Sequence, residues 1–145
     1  MKKLITIIIL ALLIATAGAE ETVYRKMTAE ELTREAETEL GALIDDIQIF
    51  HTNPIRISGI ISSINADNSL WIDGYNETNY ILMRFAVSEK HRFKRIQTET
   101  NRHFGETIFE GYVAGDIITV VSSEYKFVNN YRGNIVYISN AVVID

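Results

Sequence analysis

Basic side chains crowd into one stretch of the chain, residues 88–104, and aromatic side chains lie among them. The cations are Lys90, Arg92, Lys94, Arg95 and Arg102, and Phe93 lies between two of them. Cations at this density could hold a phosphate backbone while the phenylalanine ring stacks on a base, as in single-stranded nucleic-acid binding. Two other interpretations remain open. The cations could pair with acidic residues of an N-terminal helix, or they could form a patch for an acidic protein partner.

Residue types that bind metals or act as nucleophiles are sparse and scattered. The histidines are His51, His91 and His103, and no two have the spacing of zinc ligands. The chain has no cysteine, no G-x-S-x-G and no G-x-x-x-x-G-K-[ST]. The sequence therefore favours a protein that is not an enzyme and holds no metal or cofactor. The alternative from the enzyme class is a nuclease that would use Arg84, Glu110, Asp116 and Arg132.

The first nineteen residues have the order of a secretory signal peptide. Two lysines precede an apolar run from Leu4 to Ala15, and Ala17 and Ala19 supply the A-x-A pattern of a cleavage site. The apolar run is shorter than the ~20 residues that a membrane-spanning helix needs. We therefore expect residues 1–19 to be removed and residues 20–145 to be exported, to a bacterial periplasm or the medium, with no stable membrane insertion.

Length and charge restrict the class of protein further. Cleavage after Ala19 leaves 126 residues, the length of one ordinary domain, and changes the formal net charge from −5 to −7. This charge disfavours generic binding to nucleic acid or to anionic lipid. Because there is no cysteine, stability must come from a hydrophobic core rather than from disulfides.

The first element of the exported domain is predicted as an amphipathic helix over residues 28–50. Thr28 and Glu31 have the spacing of a capping box. Apolar residues then recur every three or four positions, at Leu32, Ala36, Leu40, Leu43, Ile47 and Phe50. Pro54 ends the helix, since the residue before a proline avoids helical geometry. The apolar stripe is expected to pack on the strands that follow.

Residues 54–145 have the strand patterns of a small barrel. Ile55, Ile57 and Ile61 alternate around Gly59, which predicts a long first strand over residues 55–64 that bends at the glycine. Strands at 70–73 and 80–86 complete a meander. A short helix or a long loop occupies 88–104, and strands follow at 107–113 and 116–121. A closing strand over 135–145 breaks near Ser139-Asn140.

A helix, a long glycine-bearing strand, a meander, a connecting segment and two further strands follow one another in the order of an OB fold. Three stretches carry a narrower likeness: the helix running into Ile55–Ile61, Val113–Val120 and Ser139–Ile144. In these stretches the chain resembles the exported OB-fold family named tRNA_anti-like. The resemblance implies a mostly-β, five-stranded barrel preceded by one helix, and an exported location. It implies no catalytic residues.

An OB fold binds its ligands on strands two and three and on the loops joining strands one to two and four to five. The candidates near the former are Trp71, Tyr75, Tyr80 and Arg84. Those of the later loop region are Tyr125, Lys126, Phe127, Tyr131 and Arg132. Aromatic rings beside cations suit stacking on bases, sugar rings or peptide side chains. Alternatively the rings fill the barrel, since alternation alone does not decide which way Trp71 points.

These patterns predict an exported OB-fold module, without enzymatic activity, that binds a protein or an envelope polymer through its barrel face. The alternative function is single-stranded nucleic-acid binding through residues 88–104 and exposed aromatics. The two differ in salt dependence, because phosphate binding weakens steeply as salt rises.

Overall fold

A computed structural model describes residues 22–41, 47–100, 102–103, 105–130 and 133–144. The predicted leader, residues 1–19, lies outside the described residues, as do Tyr131 and Arg132. In chain order the elements are β1 (Arg25–Thr28), α1 (Ala29–Leu40), β2 (Gln48–His51), β3 (Ile55–Ile64), β4 (Ser69–Asp73), β5 (Asn79–Phe85), a 3-10 helix (Val87–Arg92), β6 (Phe93–Ile96), β7 (Glu106–Phe109), β8 (Ile117–Ser122), β9 (Glu124–Asn130) and β10 (Gly133–Val143).

Five of these strands close into a barrel. β3 pairs antiparallel with β4, and β4 pairs antiparallel with β5. β5 pairs parallel with β10, the end of β10 pairs antiparallel with β8, and β8 returns to β3. This cyclic order is OB-like. The predicted fold class, a mostly-β five-stranded barrel preceded by one helix, is confirmed.

The long first strand of the barrel is β3, with the predicted bounds. Ile55, Ile57 and Ile61 are buried, so alternation identified its inner face correctly. Gly59 lets Ile72 of β4 and Ala29 of α1 lie close to the backbone of β3. A Cβ at position 59 would lie 2.4 Å from Ile72 Cγ2 and 2.8 Å from the Ala29 Cβ. The irregularity in β3 lies farther along, where the pairing with β4 shifts register between Ile61 and Ser63.

The predicted helix over residues 28–50 is wrong at its C-terminal end. The capping box is present, since Thr28 Oγ1 accepts from the Glu31 amide and the Glu31 carboxylate accepts from the Thr28 amide. α1 ends at Leu40, where Gly41 takes a positive φ of 58° that favours glycine. Residues 48–51 form β2 instead. Phe50 continues the helical spacing by coincidence, whereas Ile49 and His51 face inward with the period of a strand.

Two elements pack at opposite ends of β5. At its start, the amide of Tyr75 donates to Thr33 on α1, and the buried Leu32 and Leu40 continue the same helix face. At its end, Phe85 meets Phe93 and Phe109 of the β6–β7 hairpin, with ring centroids 5.7 and 5.0 Å away. The short helix expected between the third and fourth barrel strands is present as the 3-10 helix. The strand predicted at 107–113 is shorter, Glu106–Phe109, and it pairs with the unpredicted β6 outside the barrel.

β9 and β2 extend the sheet beyond the closed barrel. β9 pairs with Gly133–Ser139 of β10, and β2 pairs with β9. At Asn140 the backbone has a φ of 51° and the register shifts, after which β10 pairs with β8. The predicted break near Ser139-Asn140 is therefore confirmed.

Candidate binding face on the outer sheet

Side chains on the solvent side of β4, β5, β10, β9 and β2 form two rows across the sheet, which we call the outer face. The strand register aligns the first, the aromatic row: Trp71, Leu82, Tyr137, Lys126 and Phe50. The register aligns the second row beside it: Asp73, Tyr80, Ile135, Val128 and Gln48. Each row takes one residue from each of five strands, so the face exists only in the folded sheet.

The row residues must point outward because the residues that alternate with them along each strand point into the core. Leu70, Ile72, Ile81, Val136 and Phe127 alternate with the row residues and are almost completely buried. Trp71 is therefore on the outside, which the sequence left open. Phe50 is 70% exposed and Tyr80 is 36% exposed.

Neighbouring side chains hold the rings of the outer face in place. Trp71 and Tyr80 meet edge to face at 5.9 Å. Lys126 lies between two rings, with its Nζ 5.4 Å from the Phe50 centroid and 5.3 Å from that of Tyr137. The same Nζ donates to Gln48 Oε1 at 3.2 Å. Because these contacts already restrict the side chains, less side-chain conformational entropy would be lost when a ligand binds.

A groove of about 1360 Å³ runs along the outer face. Its apolar lining includes Trp71, Tyr80, Leu82, Ile135 and Tyr137. Its polar lining comprises amides, carboxylates and a hydroxyl: Gln48, Ser62, Asp73, Asn76 and Glu77. Of the described residues that line it, none is a lysine or an arginine.

Arg84, another candidate from the sequence, is on the outer surface of β5 but is ion-paired. Its guanidinium lies 2.9 Å from the Asp67 carboxylate. Hydrogen bonds from Ser69 and from Arg84 lower the pKa of the Asp67 carboxyl. Arg84 therefore borders the face as half of an ion pair.

Three aromatics that the sequence grouped with this surface lie elsewhere. Tyr75 stacks under the Arg34 guanidinium on the α1 side, 3.7 Å from its ring centroid. Tyr125 is 3% exposed and Phe127 is fully buried, because both point inward from β9. Tyr125 and Phe127 therefore do not lie on the binding face for which the sequence suggested them. Lys126, which lies between them on β9, is the residue that points outward.

The outer face also contains four residues that were not predicted from the sequence: Phe50, Leu82, Ile135 and Tyr137. For Phe50 the signal was hidden by the wrong helical assignment. For Tyr137 and Ile135 the signal was present, since they alternate with the buried Val136 and Ile138.

The basic segment pairs with acids close to it in space. Arg92 bonds Glu89 at 3.3 Å and Lys94 bonds Glu110 at 3.0 Å. The hydrogen bond from Lys94 lowers the pKa of the Glu110 carboxyl. Arg95 donates to Thr107, and Lys90 and Arg102 are exposed. The predicted pairing of these cations with the N-terminal helix is therefore wrong for Arg92 and Lys94, whose ion pairs are local.

A second cleft of about 770 Å³ lies between α1, β1 and β2. Arg25 and Glu35 form a two-point ion pair there, at 2.9 Å for each contact. The Tyr125 hydroxyl lies 3.3 Å from Arg25, and His51 stacks on the Tyr125 ring at 4.9 Å. Burial raises the pKa of Tyr125, although the hydrogen bond from Arg25 opposes the shift. The Arg25–Glu35 pair ties β1 to the helix, and His51 Nε2, 2.9 Å from Glu39 Oε1, ties β2 to it.

Among the described residues, no group of three or more His, Cys, Asp or Glu side chains is placed to hold a metal ion. None of the helices in the described ranges has both the length and the apolar character to cross a membrane. In comparisons with known proteins, no family model matches the chain and no curated protein matches its sequence.

Proposed function

We propose that this protein is an exported, non-enzymatic, OB-fold-like module that binds a protein or an envelope polymer on its outer face. The observation that carries the proposal is the aromatic row, in which Trp71, Tyr137 and Phe50 lie in register on the solvent side of one sheet. A contiguous apolar surface beside polar residues is characteristic of an interaction site. The export and the relation to tRNA_anti-like proteins rest on the leader and on the resemblance in sequence.

The charges support this ligand class over nucleic acid. A single-strand binder combines stacking rings with cations that follow the phosphates. Here the groove is lined by Asp73 and Glu77, while Arg92 and Lys94 of the basic segment are engaged by local acids. Nucleic-acid binding is therefore the less supported alternative.

The test is capture of ligands from a bacterial envelope extract by the immobilised mature protein. The variant Trp71→Ala/Phe50→Ala removes two rings of the aromatic row, and Tyr75→Ala removes a ring of the α1 side as a matched control. We expect the wild type and the control to retain the same protein or polymer. The double variant should retain at most about one-tenth as much, which corresponds to a loss of ~1.4 kcal/mol or more of binding free energy.

Circular dichroism of each variant confirms that the barrel is folded. If the folded double variant retains every ligand that the wild type retains, the proposed face is wrong. Retention of single-stranded oligonucleotides that falls steeply between low and high salt would instead favour the alternative.

A further inference from the structure

We infer that the ligand of the outer face is a neutral polysaccharide with β-1,4 linkages, an inference that rests on the proposed function. The three rings of the aromatic row lie on alternate strands: Trp71 on β4, Tyr137 on β10 and Phe50 on β2. Neighbouring strands are ~4.8 Å apart, so successive rings are ~10 Å apart, about one extended disaccharide unit. In a β-1,4-linked chain alternate sugars turn the same face to one side. Successive rings of the row can therefore each stack on one sugar, with one unstacked sugar between neighbouring rings.

The polar lining of the groove fits hydroxyl groups. Gln48 and Asn76 can donate through their amide nitrogens, since the Gln48 oxygen accepts from Lys126 and the Asn76 oxygen from Thr78 and Asn79. Asp73 and Glu77 can accept. A sugar hydroxyl is both donor and acceptor, so it can satisfy either kind of side chain. The Trp71 and Tyr137 rings, for the apolar sugar faces, line the same groove as these amides and carboxylates, and Phe50 continues the aromatic row beyond the groove.

The charge of the groove disfavours a polyanionic chain and is compatible with a neutral one. Its described lining holds two carboxylates and no cation. Among the described residues that border the groove, Arg84 is ion-paired with Asp67, whereas Lys126 keeps its positive charge because its partners are the neutral Gln48 and two rings. A polyanion such as nucleic acid would meet the two carboxylates of the groove with only the single charge of Lys126 beside them.

The pairing of the strands disfavours an extended peptide. Peptides commonly bind a sheet by adding a strand to an open edge. β4, β5, β10 and β9, which carry most of the groove, are each paired on both sides. β2 ends the sheet order but carries only Gln48 and Phe50 of the two rows, so a strand added beside it would not reach the Trp71 end of the face. A chain lying across the other strands must bind through side chains, as a ring-faced polymer does.

Titration of the mature protein with cellohexaose and with chitohexaose tests this inference. Trp71 is the single tryptophan of the chain, so its fluorescence reports on the aromatic row without a label. We expect a saturable change with at least one hexasaccharide, and affinity at least about tenfold weaker for the corresponding disaccharide, which can reach one ring only. Because the ligand is neutral, affinity should change less than about twofold between low and high salt.

Variants separate the inference from the proposed function. Tyr137→Ala and Phe50→Ala should each weaken hexasaccharide binding about tenfold, while Tyr75→Ala leaves it unchanged. If neither hexasaccharide binds but an envelope protein is captured in a manner that depends on Trp71 and Phe50, the polysaccharide inference is overturned and the proposed function stands. If no ligand of any class depends on these residues, both fail.

Discussion

Thr33 is a buried polar residue that joins α1 to the turn before β5. Its hydroxyl accepts from the Tyr75 amide at 2.8 Å and donates to the Ala29 carbonyl at 2.9 Å. Thr33→Val would leave the Tyr75 amide unpaired, so we expect the free energy of unfolding in urea to fall by about 1–3 kcal/mol. Thr38→Val is the matched control, because that hydroxyl donates to the Arg34 carbonyl on the exposed side. Equal losses for the two variants would contradict this role of Thr33.

Gly59 lies where the start of α1 and β4 approach the backbone of β3. An alanine Cβ would overlap Ile72 and Ala29, at 2.4 and 2.8 Å. Overpacking of this kind typically costs about 1–3 kcal/mol, so Gly59→Ala should lower the midpoint of thermal unfolding. Ser62→Ala, at an exposed position of the same strand, should leave it nearly unchanged. A Gly59→Ala variant as stable as the wild type would show that the close approach does not matter.

Tyr125 gives the fold a dependence on alkaline pH. Because burial raises its pKa above the unfolded value of about 10, the unfolded chain loses this proton first. The contribution of the protonated Tyr125 phenol to the free energy of unfolding is fully present below about pH 10 and is lost as pH rises through the pKa of Tyr125 in the folded protein. The stability difference between wild type and Tyr125→Phe should therefore decrease above about pH 10 in urea unfolding series. A difference that stays constant with pH would contradict a buried, protonated Tyr125.

β2 is the element on which sequence and structure differ most, and two adjacent residues distinguish them. Ile49 packs against the core from the inner side, while Phe50 is 70% exposed on the outer face. Ile49→Ala should lower the free energy of unfolding by about 1–3 kcal/mol, and Phe50→Ala by less than about 0.5 kcal/mol. If Phe50→Ala is the more damaging change, residues 48–51 continue the helical stripe instead.

Alternation predicted the strands whose two sides meet different surroundings. In β3 and β5 buried residues alternate with more exposed ones over much of the strand, and this alternation is visible in the sequence as a pattern of period two. β2 and β9 were missed for different reasons. β2 is four residues long and its apolar residues continue the spacing of α1, while β9 opens with polar and aromatic residues that are also typical of a loop.

At the scale of the whole molecule, the outer face is assembled from residues far apart in the chain. Phe50, Trp71, Leu82, Lys126 and Tyr137 are brought together by strand register alone. Trp71, Tyr80 and Lys126 could be predicted from the general location of ligand sites on OB folds. The two rows could not be predicted from the sequence, because no local motif encodes which residues of separate strands become partners.

The distribution of charge over the molecule yields a prediction about the basic segment. Its cations Arg92 and Lys94 pair locally and lie outside the groove lining. Lys94→Ala should therefore leave capture of the envelope ligand within about twofold of wild type, because this exposed side chain does not line the groove and its ion pair is screened by solvent. A loss of capture that matches the Trp71→Ala/Phe50→Ala variant would place the binding surface on the basic segment.

Hydroxyl-radical footprinting of the mature protein, with and without a bacterial envelope extract, tests most directly whether the outer face is the binding surface. Oxidation at each aromatic side chain, read by mass spectrometry, reports its solvent contact whatever the ligand is. We predict that the extract protects Phe50, Trp71, Tyr80 and Tyr137 and leaves Tyr75 as reactive as before. Protection confined to residues 88–103, or no protection of Phe50 and Trp71, would contradict the proposed function.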